Sequence, residues 1–209
     1  WPPLTVETFL LTGFADKELL PLAATLEVDM IVMGTTGKGG WLYNWFGSVS
    51  SQVAQKVTRP TLLIPDGAKF DGFRNIVFAS DYNADDEGVM QQLLDFATTY
   101  QANINFVHVV DDPKRDYRVH QIPVDALFSS QAPLSSFQLV TIENNSPVNA
   151  IDRYCTENDI DLLVLATARR GFMANLLHKS TTKEMIQKSR IPLMVLHFDQ
   201  RAKALSSKK

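Results

Sequence analysis

Phe73 to Ser80 reads FRNIVFAS, Asp85 to Tyr100 reads DDEGVMQQLLDFATTY, and Asn103 to Val110 reads NINFVHVV. The first stretch is a short apolar run rich in branched residues, bounded by Asp81, Asn83 and two further aspartates, as expected of a buried strand ending at a polar loop. The second places Val89, Leu93, Leu94, Phe96 and Ala97 on one helical stripe. The third is again a strand. Strand, helix, strand at this spacing is a βαβ unit, which requires a parallel sheet with a right-handed crossover.

Downstream, Asp111–Ser136 holds three prolines and a Ser-Ser-Gln stretch, and reads as a loop with one short helix around Val124–Ser130. The pattern then resumes. Strands are expected at Phe137–Ile142, Asp161–Ala166 and Pro192–His197, and helices at Pro147–Glu157 and Ser180–Ser189. Pro147 suits a first helical turn, where a missing N–H costs nothing. Thr181 and Glu184 have the spacing of a capping box. Five strands alternating with helices make one complete α/β sandwich.

Upstream, half of that scheme is repeated. Gly34-Thr35-Thr36-Gly37, nine residues, then Gly47-Ser48 forms the pattern G-x2-G-x9-G-S. A shift of 132 residues turns it into Ala166-Thr167-Ala168-Arg169, nine residues, then Lys179-Ser180. The shift also matches Leu19 with Ile151, Asp29 with Asp161, Lys56 with Lys188 and Pro60 with Pro192, without a gap over about 60 residues. In the first copy, strands are expected at Val6–Thr12, Asp29–Gly34 and Thr61–Pro65, with helices at Asp16–Glu27 and Ser48–Thr58. Residues 1–66 thus read as the second half of a first domain, 67–72 as a linker, 73–199 as a complete second domain and 200–209 as a polar tail. The first copy lacks an opening strand–helix–strand. Either that unit lies upstream, or the half-domain covers its sheet edge in another way. Trp1-Pro2-Pro3 reads as a processed or incomplete N-terminus.

The glycine pattern suits an anion. Gly34 is expected to end a buried strand and let the backbone turn with positive φ. Gly37 lets the loop approach a ligand with no Cβ in the way. Gly47-Ser48 opens a helix, whose unpaired N–H groups and positive dipole end favour negative charge. The same residues also suit plain turn geometry with Ser48 as N-cap. The pattern is neither a Walker A loop nor a dinucleotide fingerprint, because the lysine and the glycine spacing are wrong for them.

These residues resemble the ATP-binding signature G-x2-G-x9-G-[ST] of the universal stress protein family, which Gly34, Gly37, Gly47 and Ser48 match in full. The surrounding MIVMGTTGKGG, GSVSSQVAQKV and RPTLLIP are similar to the family too. The resemblance covers essentially the whole chain, as a tandem form with half of its first copy. It implies a five-stranded parallel α/β fold of the adenine nucleotide alpha hydrolase-like type. It also implies dimers, or pseudo-dimers of tandem copies, formed through the last strands, here Thr61–Pro65 and Pro192–His197. It implies ATP, with Mg²⁺ as a candidate companion, held by Gly34, Thr35, Gly37, Gly47, Ser48, Val49 and Ser50, and a regulatory stress-response role.

Two departures qualify this expectation. In the second copy Ala166, Arg169 and Lys179 replace the glycines. Its site, Asp81, Arg169, Lys179 and Ser180, is therefore expected to be degenerate, either an anion-holding cluster or a solvated basic loop. Asp81 matches the family's aspartate after the first strand, near adenine and ribose, yet it lies in the copy without the glycines. The ATP site of this chain is expected to be incomplete. The alternatives are a weak Mg²⁺-dependent ATPase and a nucleotide-free interaction module with an unknown protein partner.

Composition narrows the remaining classes. The chain has 209 residues, 45% hydrophobic and 21% charged, with a formal net charge of −3. It offers no basic field for nucleic acid or an anionic membrane. No apolar run approaches a membrane span and no signal peptide is visible, so a cytoplasmic protein is expected. The one cysteine, Cys155, excludes an internal disulfide, and its repeat partner Ala23 marks it as a buried small hydrophobe. His108, His120, His178 and His197 share no metal-type spacing. Trp41, Tyr43, Trp45 and Phe46 read as packing residues or, less simply, as a base-stacking platform. Asp85, Asp86 and Glu87 suit a helix's first turn better than Mg²⁺. No catalytic constellation stands out, and no metal site is expected.

Overall fold

A computed structural model of the chain describes residues 3–35, 49–79, 87–110, 137–167 and 190–197. The strands are β1 (Ile31–Gly34), β2 (Thr61–Ile64), β3 (Asn75–Ala79), β4 (Asn103–Val110), β5 (Phe137–Glu143), β6 (Leu162–Thr167) and β7 (Leu193–His197). The helices are α1 (Ala15–Thr25), α2 (Val49–Lys56), α3 (Glu87–Tyr100) and α4 (Pro147–Glu157). The expected helices at 124–130 and 180–189, with the Thr181–Glu184 box, lie outside the described residues.

All seven strands form one sheet, in the order β1-β2-β7-β6-β3-β4-β5. Every neighbouring pair is parallel except β2 with β7. The mixed α/β class is the expected one, but the sheet holds seven strands with one antiparallel pair, where five parallel strands were expected, because β1 and β2 join β3 to β7 through the β2–β7 pairing. The central strands read as continuous apolar runs because both of their faces are covered. Ile76 and Phe78 of β3 pack with Val89, Leu93, Leu94 and Ala97 of α3 on one face. Val77 and Ala79 pack with Val148, Ile151 and Cys155 of α4 on the other, where Ala54 of α2 joins them. Phe70, Phe73, Phe96 and Tyr100 close one end of the α3 side, with Phe73 about 5 Å (5.0–5.3 Å) from each of the other three rings.

The repeat recurs in the backbone of several equivalent elements. α1 and α4 occupy equivalent residues, 15–25 and 147–157. Glu27 and its equivalent Asp159 both have φ of 49°, a left-handed conformation at the helix end. Each is followed by the same 6→1 bond: the Val28 N–H donates to Ala23 O at 3.3 Å, and the Ile160 N–H to Cys155 O at 3.1 Å. Ile31 pairs with Thr61 in β1–β2, and the equivalent Leu163 with Leu193 in β6–β7. The β2–β7 joint is symmetric in the same numbering. Leu62 faces Met194, its own repeat equivalent, flanked by Thr61–Val195 and Leu63–Leu193.

Two expectations for the first copy fail for one reason. Val6–Thr12 is no strand; residues 3–14 carry no helix or strand and are exposed. Its equivalent in the second copy, β5, exists by pairing with β4, and among the described residues no strand lies beside residues 6–12 to supply hydrogen bonds. Nor is the strand ending at Gly34 buried. β1 lies at the sheet's edge, so Val32 is 60% exposed where its equivalent Val164 is fully buried. Gly34 also lacks positive φ, being paired with Ile64 in extended β1.

An aspartate ties the complete copy together. Asp161 Oδ2 accepts hydrogen bonds from the backbone N–H groups of Arg74 (2.8 Å) and Asn75 (2.9 Å), at the start of β3. The Asp161 N–H donates in return to Asn75 O at 2.9 Å. The equivalent Asp29 is exposed and has no such strand beside it. Replacing Asp161 by Ala should therefore lower unfolding stability by about 1–2 kcal/mol, because two amides lose a charged acceptor at a partly wet site. Asp29→Ala should change it by less than about 0.5 kcal/mol. Urea denaturation of both variants checks the contrast.

Candidate functional site

The candidate site begins where β1 ends. In an open α/β sheet, ligands collect outside the carboxyl ends of parallel strands. β1 and β2 are such a pair, in register from Ile31–Thr61 to Gly34–Ile64. Thr35 anchors the start of the loop. Its N–H donates to Ile64 O at 2.9 Å, and its hydroxyl donates to the same oxygen at 3.4 Å. Both donors of Thr35 thus face β2 and hold the chain where it leaves the sheet.

The far side of the loop is α2, which starts at Val49. The first N–H groups of a helix have no partner within it, so this end favours an anion. Val49 is exposed and Ser50 is 4% exposed, which turns Ser50 inward at the first turn. Lys56 occupies the last turn, where a cation suits the dipole, and its Nζ donates to Gln52 Oε1 at 3.4 Å. Gly37, Gly47 and Ser48 lie outside the described residues. The structure therefore describes Gly34, Thr35, Val49 and Ser50, the two banks of the loop.

In the second copy the corresponding position has joined the core. Ala166, the equivalent of Gly34, pairs with Leu196, and its methyl packs against the α3-side cluster. Asp81, Arg169, Lys179 and Ser180 lie outside the described residues, as do His120, His178, the aromatic group at 41–46, Asp85 and Asp86. His108 and His197 are buried in β4 and β7. Among the described residues no three His, Cys, Asp or Glu side chains are grouped so that they could hold a metal ion. None of the helices among the described residues is long and apolar enough to cross a membrane.

Asp161 is the residue whose role sequence reasoning missed. Its signal was present, since Asp29 and Asp161 share a repeat position, but a carboxylate before a strand does not announce which amides it will meet.

The universal stress protein family model matches residues 2–65 and 72–197. The chain belongs to this family. Solved structures agree at the level of fold. A universal stress protein from Archaeoglobus fulgidus DSM 4304 superposes with a TM-score of 0.66 at 15% identity, over 89% of this chain and 66% of that one. A Pseudomonas aeruginosa UCBPP-PA14 protein assigned to the universal stress proteins gives 0.61 at 14% identity, over 95% of this chain and 73% of that one. The chain therefore spans about two thirds of the length of the first and three quarters of the second. No curated protein matches the sequence.

Cys155 of this universal stress protein is a packing residue. It is buried on α4, and burial, assisted by the nearby Asp152 charge, pushes its thiol up to about 12. At pH 8 only on the order of 1 in 10,000 molecules carries the thiolate, so the native protein should resist thiol reagents until it unfolds. Because the folded value lies above the ordinary 9.0, the unfolded chain binds fewer protons between about pH 9 and 12. Stability should accordingly fall by roughly 1 kcal/mol per pH unit across that window, more steeply than in Cys155→Ala. Parallel urea titrations at stepped pH measure the difference in slope.

Proposed function

We propose that this universal stress protein carries the phosphate-holding half of an ATP site in its first copy, used as a regulatory signal in a stress response and not for efficient catalysis. The observation that carries the reading is the parallel β1–β2 pair ending at Gly34 and Ile64, with helix α2 beginning at Val49 after the segment that contains Gly37 and Gly47. Bare backbone at Gly34, Gly37 and Gly47 lets amides approach phosphate oxygens. Ser48 adds a hydroxyl, and the N–H groups at the start of α2 add dipole charge. Mg²⁺ would arrive with the nucleotide and offset part of its negative charge. Thr35 acts through its bonds to β2 as the anchor of the loop.

The adenine-facing aspartate, Asp81, belongs to the other copy. Its site is the degenerate one, in which Ala166 fills the place of a glycine with a core methyl. The second domain serves as a packing partner, joined to the first through β2 and β7 as a pseudo-dimer. A cytoplasmic setting fits the lone buried thiol. A second reading, an interaction module without nucleotide, is favoured by the open edge of β1.

With phosphate groups held and the base largely unread, Mg²⁺-ATP and Mg²⁺-GTP should bind this chain with affinities within about threefold of each other, since less than about 1 kcal/mol separates them. Gly37→Gln should weaken both by about tenfold or more, the worth of one lost charge-assisted hydrogen bond. Arg169→Ala should change neither by more than about twofold. Isothermal titration of the 209-residue chain and both variants provides the test. Binding that ignores Gly37, or no nucleotide binding, would sink the ATP reading and leave the interaction module.

A further inference from the structure

Both Asp-Gly steps of the chain, Asp66-Gly67 and Asp71-Gly72, fall in the connector between β2 and β3. β2 runs antiparallel to β7, and β7, β6 and β3 are parallel. The end of β2 and the start of β3 therefore lie at one end of the sheet, with β7 and β6 between them. That separation is about 14 Å, whereas residues 65–74 would reach about 33 Å if fully extended. Turns take up the slack. The Ala68 N–H donates to Pro65 O at 3.3 Å, with Gly67 at φ of 72° in the third position of the turn. Gly72, at φ of 99°, turns the chain again before β3.

An aspartate followed by glycine can react with its own backbone, because no side chain shields the next amide nitrogen from the carboxyl group. The surroundings permit this at both steps. No atom outside the immediate chain neighbours lies within 4 Å of where a Cβ would sit on Gly67 or Gly72. Among the described residues, neither glycine N–H donates a hydrogen bond. The two aspartates differ. Arg74 Nη2 donates to Asp71 Oδ2 at 3.2 Å, which draws that carboxylate toward the guanidinium. Phe70 and Phe73 meet edge to face at 5.0 Å across the Asp71-Gly72 step, and Phe73 is buried, so its backbone is also held. Asp66 is exposed, and among the described residues it has neither an ion pair nor a hydrogen bond to its carboxylate.

We infer that Asp66-Gly67 is a self-modification site, where the connector converts to an isoaspartyl linkage that serves as a substrate for carboxyl methyl transfer from a sulfonium methyl donor. The Gly67 nitrogen attacks Asp66 Cγ. A C–N bond forms and a carboxyl C–O bond breaks, and the oxygen leaves as water with the amide proton and one proton from solvent. Water then adds to the main-chain carbonyl of Asp66 and its bond to Gly67 N breaks. The main-chain carboxylate is freed, a proton returns to solvent, and the chain now runs through Cβ and Cγ. Composition is unchanged, but the backbone is one carbon longer. The freed carboxylate oxygen takes the donor's methyl group as the C–S bond breaks, leaving a methyl ester and a neutral thioether. The slack in the connector absorbs the extra carbon, so the sheet survives while the Ala68–Pro65 turn is lost. The mark lies two residues past Ile64, whose carbonyl accepts both donors of Thr35.

The test ages the purified full chain at neutral pH and samples it over weeks. Isoaspartate is located by electron-transfer fragmentation, and methyl acceptance is read with labelled S-adenosylmethionine and an isoaspartyl carboxyl methyltransferase. Isoaspartate should accumulate at 66 without a mass change, and at 71 about two- to fivefold more slowly, the rate equivalent of one exposed ion pair. Arg74→Gln should raise the rate at 71 by that factor and leave 66 unchanged. Asp66→Glu should remove the product at 66, because its longer side chain would have to close a six-membered ring. In the aged chain the β2–β7 amides should stay protected from hydrogen exchange while Ala68 loses protection. A synthetic peptide of residues 62–76, in which neither step is held by the fold, sets the unconstrained rate. Conversion at 66 more than about tenfold slower than in that peptide, or no faster than at 71 in the folded chain, overturns the inference. So does a product at 66 that accepts no methyl group.

Discussion

A strand needs a neighbour for its backbone, and that requirement explains most of this molecule. Each N–H and C=O in the sheet must find a partner or water, so the strands that exist are those that can be flanked. β3, β4, β6 and β7 are flanked on both edges and are almost wholly buried. β1 has one partner and is half exposed. Residues 5–12, with no partner strand among the described residues, form no strand despite a composition that favours one. The same constraint accounts for the β2–β7 joint. It gives β2 a second neighbour and caps what would otherwise be the outer edge of the complete copy.

Much of this was legible in the sequence because two independent periodicities agreed. The apolar runs at 75–79 and 103–110 around the stripe of α3 specify a buried parallel unit, and the shift of 132 residues carries that reading to β1, α1 and β2. The limits of α4 agree with the expected Pro147–Glu157, and Pro147, which marks its first turn, was the signal for its start. What failed was context. Val6–Thr12 has the pattern of β5 but not its partner, and a one-dimensional pattern does not show whether the neighbouring strand is present. Gly34 misled for a related reason. A glycine at the end of a strand suggests positive φ, yet Gly34 stays extended beside Ile64. The candidate site was legible as a motif. Its anchor was not, because nothing in the letter Thr35 predicts that both of its donors turn toward Ile64.

The two copies also use one repeat position differently. Gly34 ends an edge strand and is exposed, whereas Ala166 lies within central β6 and packs against the α3-side core. A residue that packs is held in place by many small contacts, whereas a residue kept free for a ligand contributes little to folding. Packing therefore fixes Ala166 in a way that it does not fix Gly34.

The symmetry of the β2–β7 joint reaches beyond the present chain, to how tandem proteins arise. Leu62 meets Met194, the residue that occupies its own place in the other copy, so the joint is an isologous contact made within one polypeptide. A contact of that kind joins two separate twins as well as two linked ones, and a duplicated gene can adopt it without inventing a new surface. Linkage then changes what selection acts on. Separate twins share one sequence, so both must keep the same residues, whereas linked copies drift apart while the self-complementary strand still binds them.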